Sequence, residues 1–314
     1  DSLVPLSPGG RAPETPMRRI LLSFTALLLI LGTGCAGSRE IALCQKDIYE
    51  TRAEGDLAAA LAEAEAHWVL RSDPAELRLA IAAWRRALSI APAEPEPYEK
   101  LARAHYFLAD GYLRFDEEAE DEMLMTYEKG TYYAELGLGA VDPTFRDRVC
   151  GGDEVEDVVP TLGKEAIATM YWYATNLGKW ALAKGILVAL GNKDKIFAMM
   201  TRIDELAPEH FYGAAARYFG AFYTKIPFPG GDPELSRANF DRSIAMEPNY
   251  FASYVLMAEL LATKTDDRAL FEKSLKYVLE TPADIIPELT PENTAEKRKA
   301  EALYEEIDVY FDVE

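Results

Sequence analysis

The sequence predicts an all-α protein, a compact, curved α-solenoid of helical hairpins, on three observations. Apolar residues recur at spacings of three and four, and almost no stretch alternates with the period of two that marks a strand. Helix starts are well marked at Asp73-Pro74-Ala75-Glu76, Asp232-Pro233-Glu234 and Thr290-Pro291-Glu292, where a capping side chain precedes a proline. Apolar residues make up 49% of the chain, enough for a continuous core.

These patterns predict twelve helices. We place them at 46–70, 74–91, 95–114, 117–140, 160–177, 179–190, 192–207, 209–225, 233–247, 249–263, 267–280 and 292–311. In a helical-hairpin repeat, a proline ends the second helix of each pair. These prolines are irregularly spaced through the middle of the chain, so that region must carry longer or additional helices.

Two helix pairs carry the residue pattern of tetratricopeptide repeats. In this pattern a small residue is followed by a large one, a second small one and a proline, and the next helix supplies further apolar anchors. One match consists of Ala80, Trp84, Ala87 and Pro92, followed by Tyr98, Leu101 and Ala102. The other consists of Ser236, Phe240, Ser243 and Pro248, followed by Tyr254, Met257 and Ala258. The matches predict stacked hairpins with a concave face for a peptide, a helix or a small ligand.

Residues 17–34 have the three parts of a secretion signal. A basic start at Met17-Arg18-Arg19 precedes an apolar run from Ile20 to Leu31 and a small-residue region ending at Gly34. These twelve residues, ten of them apolar, span about 18 Å as a helix, too little for the roughly 30 Å hydrocarbon core of a bilayer. We therefore expect a cleaved signal, with residues 1–16 an upstream extension outside the native protein.

The residue after this signal is Cys35, which resembles the acylated cysteine of a bacterial lipobox. At the third position before the cysteine, where a lipobox usually has leucine, this sequence has Gly32. The alternative to lipidation is plain secretion. Residues 35–45 would then tether a single helical domain, 46–314, to a membrane on the periplasmic side. Ala36 favours the outer membrane, by analogy with enteric sorting.

Two more cysteines, Cys44 and Cys150, remain if Cys35 is acylated. Disulfides persist in an exported compartment, so we predict a bridge between them. The alternative is a pair of unpaired thiols.

Charge and motifs exclude several classes of function. The net charge of −20 repels phosphate backbones and argues against nucleic acid as a partner. The three histidines lack metal-ligand spacing, and Gly163-Lys164 and Gly178-Lys179 lack the other residues of a phosphate-binding loop. We expect neither enzymatic activity nor a metal or cofactor.

The middle of the chain is rich in aromatic residues. Tyr171, Trp172 and Tyr173 are consecutive, and three successive side chains cannot share one face of a helix. Asn176 and Trp180 follow within the next turns. One interpretation is thick core packing between long helices; the other is the wall of an apolar ligand pocket.

A break in the repeat register supports the pocket. In the unit after Pro208, Arg217 and Tyr218 occupy positions that elsewhere carry a core leucine or methionine and a contact alanine. A buried arginine requires partners, so Arg217 either meets an internal carboxylate or faces a cavity that binds an anionic group. With Phe222, the predicted pocket residues are Tyr171, Trp172, Asn176, Trp180, Arg217, Tyr218 and Phe222.

Several motifs in the second half of the chain resemble the T-component family of tripartite ATP-independent periplasmic (TRAP) transporters. They are Arg217-Tyr218-Phe219-Gly220, Pro229-Gly230-Gly231-Asp232, Ser236, Phe240, Pro248-Asn249-Tyr250, Pro291-Glu292-Asn293, Lys299-Ala300 and Asp308-Val309-Tyr310-Phe311. The similarity covers roughly residues 60–312. It implies a periplasmic lipoprotein that associates with a TRAP solute-binding protein, possible assembly as a homotrimer, and a hydrophobic cleft or pore in each protomer.

The leading hypothesis is an adaptor that docks the TRAP solute-binding protein and holds or passes an apolar anionic solute. The alternative is a tetratricopeptide envelope scaffold that binds another protein on its concave face and holds no solute.

Overall fold

Several helices of this protein begin where an aspartate side chain caps them, as the sequence predicts at Asp73 and Asp232. The computed structural model describes residues 41–50, 52–227 and 230–311, all within one compact unit, Gly37–Glu314. Throughout these ranges the chain forms helices and turns and contains no strand, which confirms the all-α class.

Four long helices form the first part of the fold: α1 to α4 are Leu57–Val69, Pro74–Ile90, Glu96–Gly111 and Glu120–Val141. The middle contains α5 to α9: Pro143–Cys150, Val155–Val158, Ile167–Lys184, Ile186–Leu206 and His210–Lys225. The last part contains α10 to α14: Pro233–Met246, Phe251–Leu256, Arg268–Glu280, Thr290–Glu305 and Ile307–Tyr310. A π-helical segment, Met257–Ala262, continues α11.

Local hydrogen bonds explain these helix starts. Asp73 accepts a hydrogen bond from the Ala75 amide and Asp232 accepts from the Glu234 and Leu235 amides, so both are N-caps. Thr290 is instead the first residue of α13, and its hydroxyl donates to the Pro287 carbonyl. The prediction of a cap was therefore wrong at Thr290.

Several predicted helix bounds were also wrong: the break predicted at residue 191 is absent, since α8 is continuous, and α5 and α6 lie where no helix was predicted. The helix predicted from residue 46 begins at Leu57, because Asp56 caps it and short 3-10 turns precede it. The break predicted near Gly178 is absent, and α7 continues to Lys184. The chain turns instead at Gly185, whose φ of 118° is accessible to glycine and strained for other residues.

Buried side chains form three neighbouring hydrophobic clusters. The first centres on Trp68 and Trp84 in α1 and α2, and the third on Phe240 and Phe271. The middle cluster is the largest and includes much of α7. The small and large positions of both predicted repeats are fully or almost fully buried; they are Ala80, Trp84, Ala87, Ser236, Phe240 and Ser243.

The C-terminal helix α13 returns to the first half of the fold and is held there by ion pairs. Lys299 Nζ lies 2.5 Å from a carboxylate oxygen of Asp110 in α3. Arg71, just after α1, pairs with Glu292 at 2.8 Å. These contacts bring the two ends of the helical stack together around an interior space.

The N-terminal segment is attached to the same body. Cys44 and Cys150 form a disulfide, with Cα atoms 5.5 Å apart, between a 3-10 turn and the end of α5. The Ala42 amide donates to the Glu135 carboxylate at 2.9 Å. The predicted lipidation site Cys35, the signal 17–34 and the extension 1–16 lie outside the described residues.

Among the described helices, none combines the length and the apolar character needed to cross a bilayer.

Candidate functional site

A cavity of about 490 Å³ lies between α3, α4, α7, α8, α9 and the π-helical segment. That volume falls within the range of about 300–1,000 Å³ that is usual for small-molecule sites. Its walls are mainly apolar and include Met123, Leu182, Ile186, Leu190, Ile196, Met200, Tyr218, Phe222, Ile226, Leu256 and Leu260. The π-helical segment contributes Glu259 and Leu260, and Leu256, the last residue of α11, lies beside them.

A second, smaller cavity of about 70 Å³ adjoins the first and extends toward α13. The two share a wall that is more polar than the rest. The shared residues are Tyr106, Asp110, Arg114, Tyr171, Lys179, Arg217, Leu256 and Glu259. The side chains of this shared wall therefore supply the polar contacts that are available to a molecule in either cavity.

The cavity walls are basic although the protein is acidic. Seven basic residues line the two cavities: Arg103, Arg114, Lys179, Lys193, Arg217, Lys225 and Lys299. Only four acidic residues do so: Asp110, Glu259, Glu292 and Glu296. The surrounding protein carries a net charge of −20. The local excess of positive charge therefore favours an anionic group inside.

The carboxylate of Asp110 neutralises part of this positive charge. Its carboxylate lies 2.9 Å from Lys179, 3.3 Å from Arg114 and 2.5 Å from Lys299, and it accepts a hydrogen bond from the Tyr127 hydroxyl at 3.1 Å. Burial alone would raise the pKa of Asp110, but the three cations hold that pKa well below its ordinary value. Asp110 is thus an ionised anchor that fixes the positions of these cations.

Arg217 is buried, with 5% of its surface exposed, and it has a different set of partners. Its guanidinium donates to the carbonyls of Tyr212 (3.0 Å) and Phe211 (3.4 Å) and to the Tyr171 hydroxyl (3.2 Å). It also lies 4.3 Å from the ring centroid of Tyr250. Within the part of the chain that the structure describes, none of these partners is a carboxylate. Of the two alternatives left open by the sequence, the structure shows an arginine facing a cavity.

The carbonyls that Arg217 binds belong to an unusual backbone segment. Phe211, Tyr212 and Gly213 have φ values of 43°, 60° and 72°, which form a left-handed turn at the start of α9. For a residue with a side chain this conformation costs about 1–2 kcal/mol. By accepting from Arg217, the two carbonyls help to hold the turn, so the conformation of the segment and the position of the guanidinium depend on each other.

Aromatic rings cover the inner end of the cavities. Tyr171 and Trp172 have ring centroids 4.6 Å apart, and Phe211 lies 5.0 Å from each of them. The guanidinium of Arg103 lies 5.4 Å from the Phe211 ring and 5.8 Å from the Trp172 ring. The left-handed turn thus places Phe211 in contact with both the aromatic pair and a second arginine, Arg103.

The structure brings five of the seven predicted pocket residues to the cavity walls. Tyr171 and Arg217 line both cavities, Trp172 lines the small one, and Tyr218 and Phe222 line the large one. The consecutive residues of α7 reach different surroundings because they project about 100° apart.

Asn176 and Trp180 do not line either cavity. Asn176 is fully buried and donates hydrogen bonds to the carbonyls of Ala102 (3.0 Å) and Trp172 (2.8 Å), where it fills the space left by Gly130. Trp180 lies in the middle hydrophobic cluster. Both were placed in the pocket from their proximity in sequence, and helical periodicity turns them toward neighbouring helices instead.

Sequence reasoning missed most of the polar wall. Asp110 follows the apolar run Phe107-Leu108-Ala109. An acidic residue directly after a core segment was a signal in the sequence for a buried, paired carboxylate. Lys179 was considered only as part of a phosphate loop. The roles of Lys225 and Glu259 depend on the packing of α9 against the π turn, which no local pattern indicates.

The fold and this site define a helical protein with a solute-sized, basic-walled cavity. The family model described as TRAP transporter T-component matches residues 107–311, and the chain belongs to that family. The matched range includes every cavity-lining residue except Arg103 and Tyr106. Membership gives the protein a role in TRAP transport in the bacterial envelope. A comparison with curated proteins finds no match.

Proposed function

We propose that this T-component is a periplasmic, lipid-anchored binding protein that holds an apolar anionic solute and docks the TRAP solute-binding protein. It acts by binding and not by catalysis. The observation that carries this proposal is the 490 Å³ cavity, whose apolar walls end in a basic wall within a strongly acidic protein. Such a combination suits an organic anion with a hydrophobic body.

The mouth of the cavity supports a role in transfer. Leu182 and Ile186 line the cavity and are also 40% and 52% exposed, and the neighbouring Leu187 is 81% exposed. They surround Gly185 at the corner between α7 and α8. A solute passing between two proteins is shielded from water only if the partner covers this opening. We therefore assign the corner to the solute-binding protein.

The anchor and the assembly are part of the same proposal. Acylation of Cys35 would hold the helical body at the periplasmic face of a membrane, with the outer membrane favoured by Ala36. Family membership supports assembly with other TRAP components, and a homotrimer would present three cavities.

Capture of the solute-binding protein from the same organism tests the docking part. We expect Leu187→Glu to weaken capture at least tenfold, because it places a charge in an apolar contact. Leu79→Glu is the matched control, since Leu79 is 48% exposed on α2, outside the cavity walls. Equal capture by both variants and the wild type would refute docking at this corner.

One further observation favours the alternative scaffold. An open groove of about 400 Å³ lies near the N-terminal segment and is lined by Leu88, Pro92, Tyr98, Tyr132, Tyr133 and Leu136, among others. A groove that opens to solvent and has tyrosines in its walls suits a peptide better than a solute. If capture depends on Tyr132 and not on Leu187, the scaffold is the better description.

A further inference from the structure

We propose that a groove between α2 and α4 binds an extended segment of a partner protein in which acidic residues adjoin an apolar one. This α2–α4 groove consists of the open groove of about 400 Å³ near the N-terminal segment and a basic stretch that continues it over α3. It is separate from the solute site, because its described residues line neither of the two cavities. The proposal therefore does not depend on a bound solute.

Three helices build the groove, each with residues at helical spacing. The walls and floor are Arg78, Arg85, Leu88, Ser89 and Pro92 of α2, Glu122, Lys129, Tyr132, Tyr133 and Leu136 of α4, and Tyr98 and His105 of α3. Arg78 pairs with Glu122 at 2.8 Å and so connects the two walls at one end. From Glu122 to Leu136 the groove follows α4 for about 21 Å, the length of about six residues of extended chain.

The middle of the groove is basic, although the protein carries a net charge of −20. Arg85 and Lys129 are exposed on opposite walls, and neither forms an ion pair with another residue that the structure describes. Arg85 lies beside the hydroxyl of Tyr133. Two cations without carboxylate partners give this stretch a charge complementary to an acidic segment.

His105 forms the floor beneath these cations. It is 6% exposed and stacks on Tyr133, with ring centroids 5.4 Å apart. Neither ring nitrogen has a hydrogen-bond partner among the described residues. Burial lowers the pKa of His105, and the positive charges of Lys129, Arg85 and Arg78 lower it further, so all three cations lie near the imidazole. The imidazole is neutral at pH 7, and the positive charge of the groove belongs to the two walls.

The other end of the groove is apolar. Tyr132 and Tyr133 are half-buried, with ring centroids 5.3 Å apart and planes at 80°. Tyrosine rings offer rigid apolar area, and their hydroxyls can bond a peptide backbone. Asp47 lies at the rim of this end and disfavours a second acid there. The apolar residue of the partner therefore belongs at the tyrosines, and its acidic residues belong between Arg85 and Lys129.

Selection from a display library of random hexapeptides, with the soluble form that begins after Cys35 as target, tests this chemistry. We expect the selected sequences to be enriched in aspartate and glutamate beside leucine, proline or an aromatic residue. Selection of basic or wholly apolar sequences would overturn the proposal, and so would a failure to select any peptide.

Fluorescence anisotropy with the tightest selected peptide then tests the location. Arg85→Gln and Lys129→Gln should each weaken binding about two- to fivefold, the usual contribution of an exposed ion pair. Tyr132→Ala should weaken it about tenfold, as expected for an aromatic anchor. Arg86→Gln is the matched control, because Arg86 is the next residue of α2 and its exposed charge pairs with Glu63.

Equal affinity of all these variants for the peptide would place it elsewhere and overturn the assignment. If the substitutions instead change the oligomeric mass of the protein alone, a second copy occupies the groove and the assignment to a different partner is wrong. Leu187→Glu should leave the peptide affinity unchanged, because Leu187 lies at the corner between α7 and α8. Loss of peptide binding and loss of docking at that corner are therefore separate results.

Discussion

Replacement of Asp110 by asparagine tests whether the buried ion network holds the fold closed around the cavity. Asp110 is 5% exposed and contacts Lys179, Arg114 and Lys299, the last being 8% exposed on α13. The asparagine has nearly the same shape, so the substitution removes charge and leaves packing intact.

The expected loss follows from the burial of the partners. Lys299 keeps Glu296 but loses its contact with α3, and the side chains of Lys179 and Arg114, 33% and 31% exposed, are free to turn toward water. Removing one member of a buried pair costs about 3–5 kcal/mol. At about 2 °C per kcal/mol for a domain of this size, Tm should fall by about 6–10 °C.

Thermal unfolding followed by circular dichroism at pH 7 measures this change. Asp241→Asn is the control, because the pair of Asp241 with Arg237 is exposed and should contribute less than about 1 kcal/mol. Since the pKa of Asp110 is lowered, its contribution exists above its ordinary pKa and is lost as pH falls through the folded value. The wild-type advantage should therefore disappear in strong acid. Equal Tm values for Asp110→Asn and Asp241→Asn would refute the reasoning.

Three further predictions concern other parts of the fold. Gly130→Ala should lower the free energy of unfolding by about 1–3 kcal/mol in urea titrations, because its Cβ would lie 2.1 Å from Asn176 Oδ1; an unchanged midpoint would contradict this close packing. Burial lowers the pKa of His105 to about 3, so between pH 6.5 and 3 the unfolded state binds the proton and stability falls as pH falls, by about 2 kcal/mol at pH 5. His105→Phe should reduce the difference between the urea midpoints at pH 7 and pH 5, and an identical difference would show that this histidine is not involved. Changing Cys44 and Cys150 together to serine should cost about 4–5 kcal/mol in the chain-entropy model for 106 residues of separation, and a Tm equal to that of the oxidised wild type would contradict it.

Much of the helical fold could be predicted because its signals are local. The caps at Asp73 and Asp232 lie beside the helices they start, and the repeat positions Trp84 and Phe240 are buried as their spacing requires. Gly178 misled the prediction because one glycine costs only about 1 kcal/mol in a helix, which the packing of α7 offsets. The repeat assignment as tetratricopeptide stays a prediction.

The site was predictable only in part. Arg217 and Tyr218 do not fit the repeat register, and both line the large cavity, as that misfit predicted. The ion network around Asp110 was not predictable, because Lys299 lies 189 residues away in sequence. The left-handed turn at Phe211 and Tyr212 was also missed, since only Gly213 among its three residues favours that conformation.

Native mass spectrometry of the purified soluble form, beginning after Cys35, tests the central claim that the cavity holds an apolar anion. We expect bound mass that is released on denaturation and appears as a carboxylic acid in negative-ion mode. The Arg217→Gln protein should retain less of it. An empty wild-type protein that also fails to take up added decanoate would contradict the account.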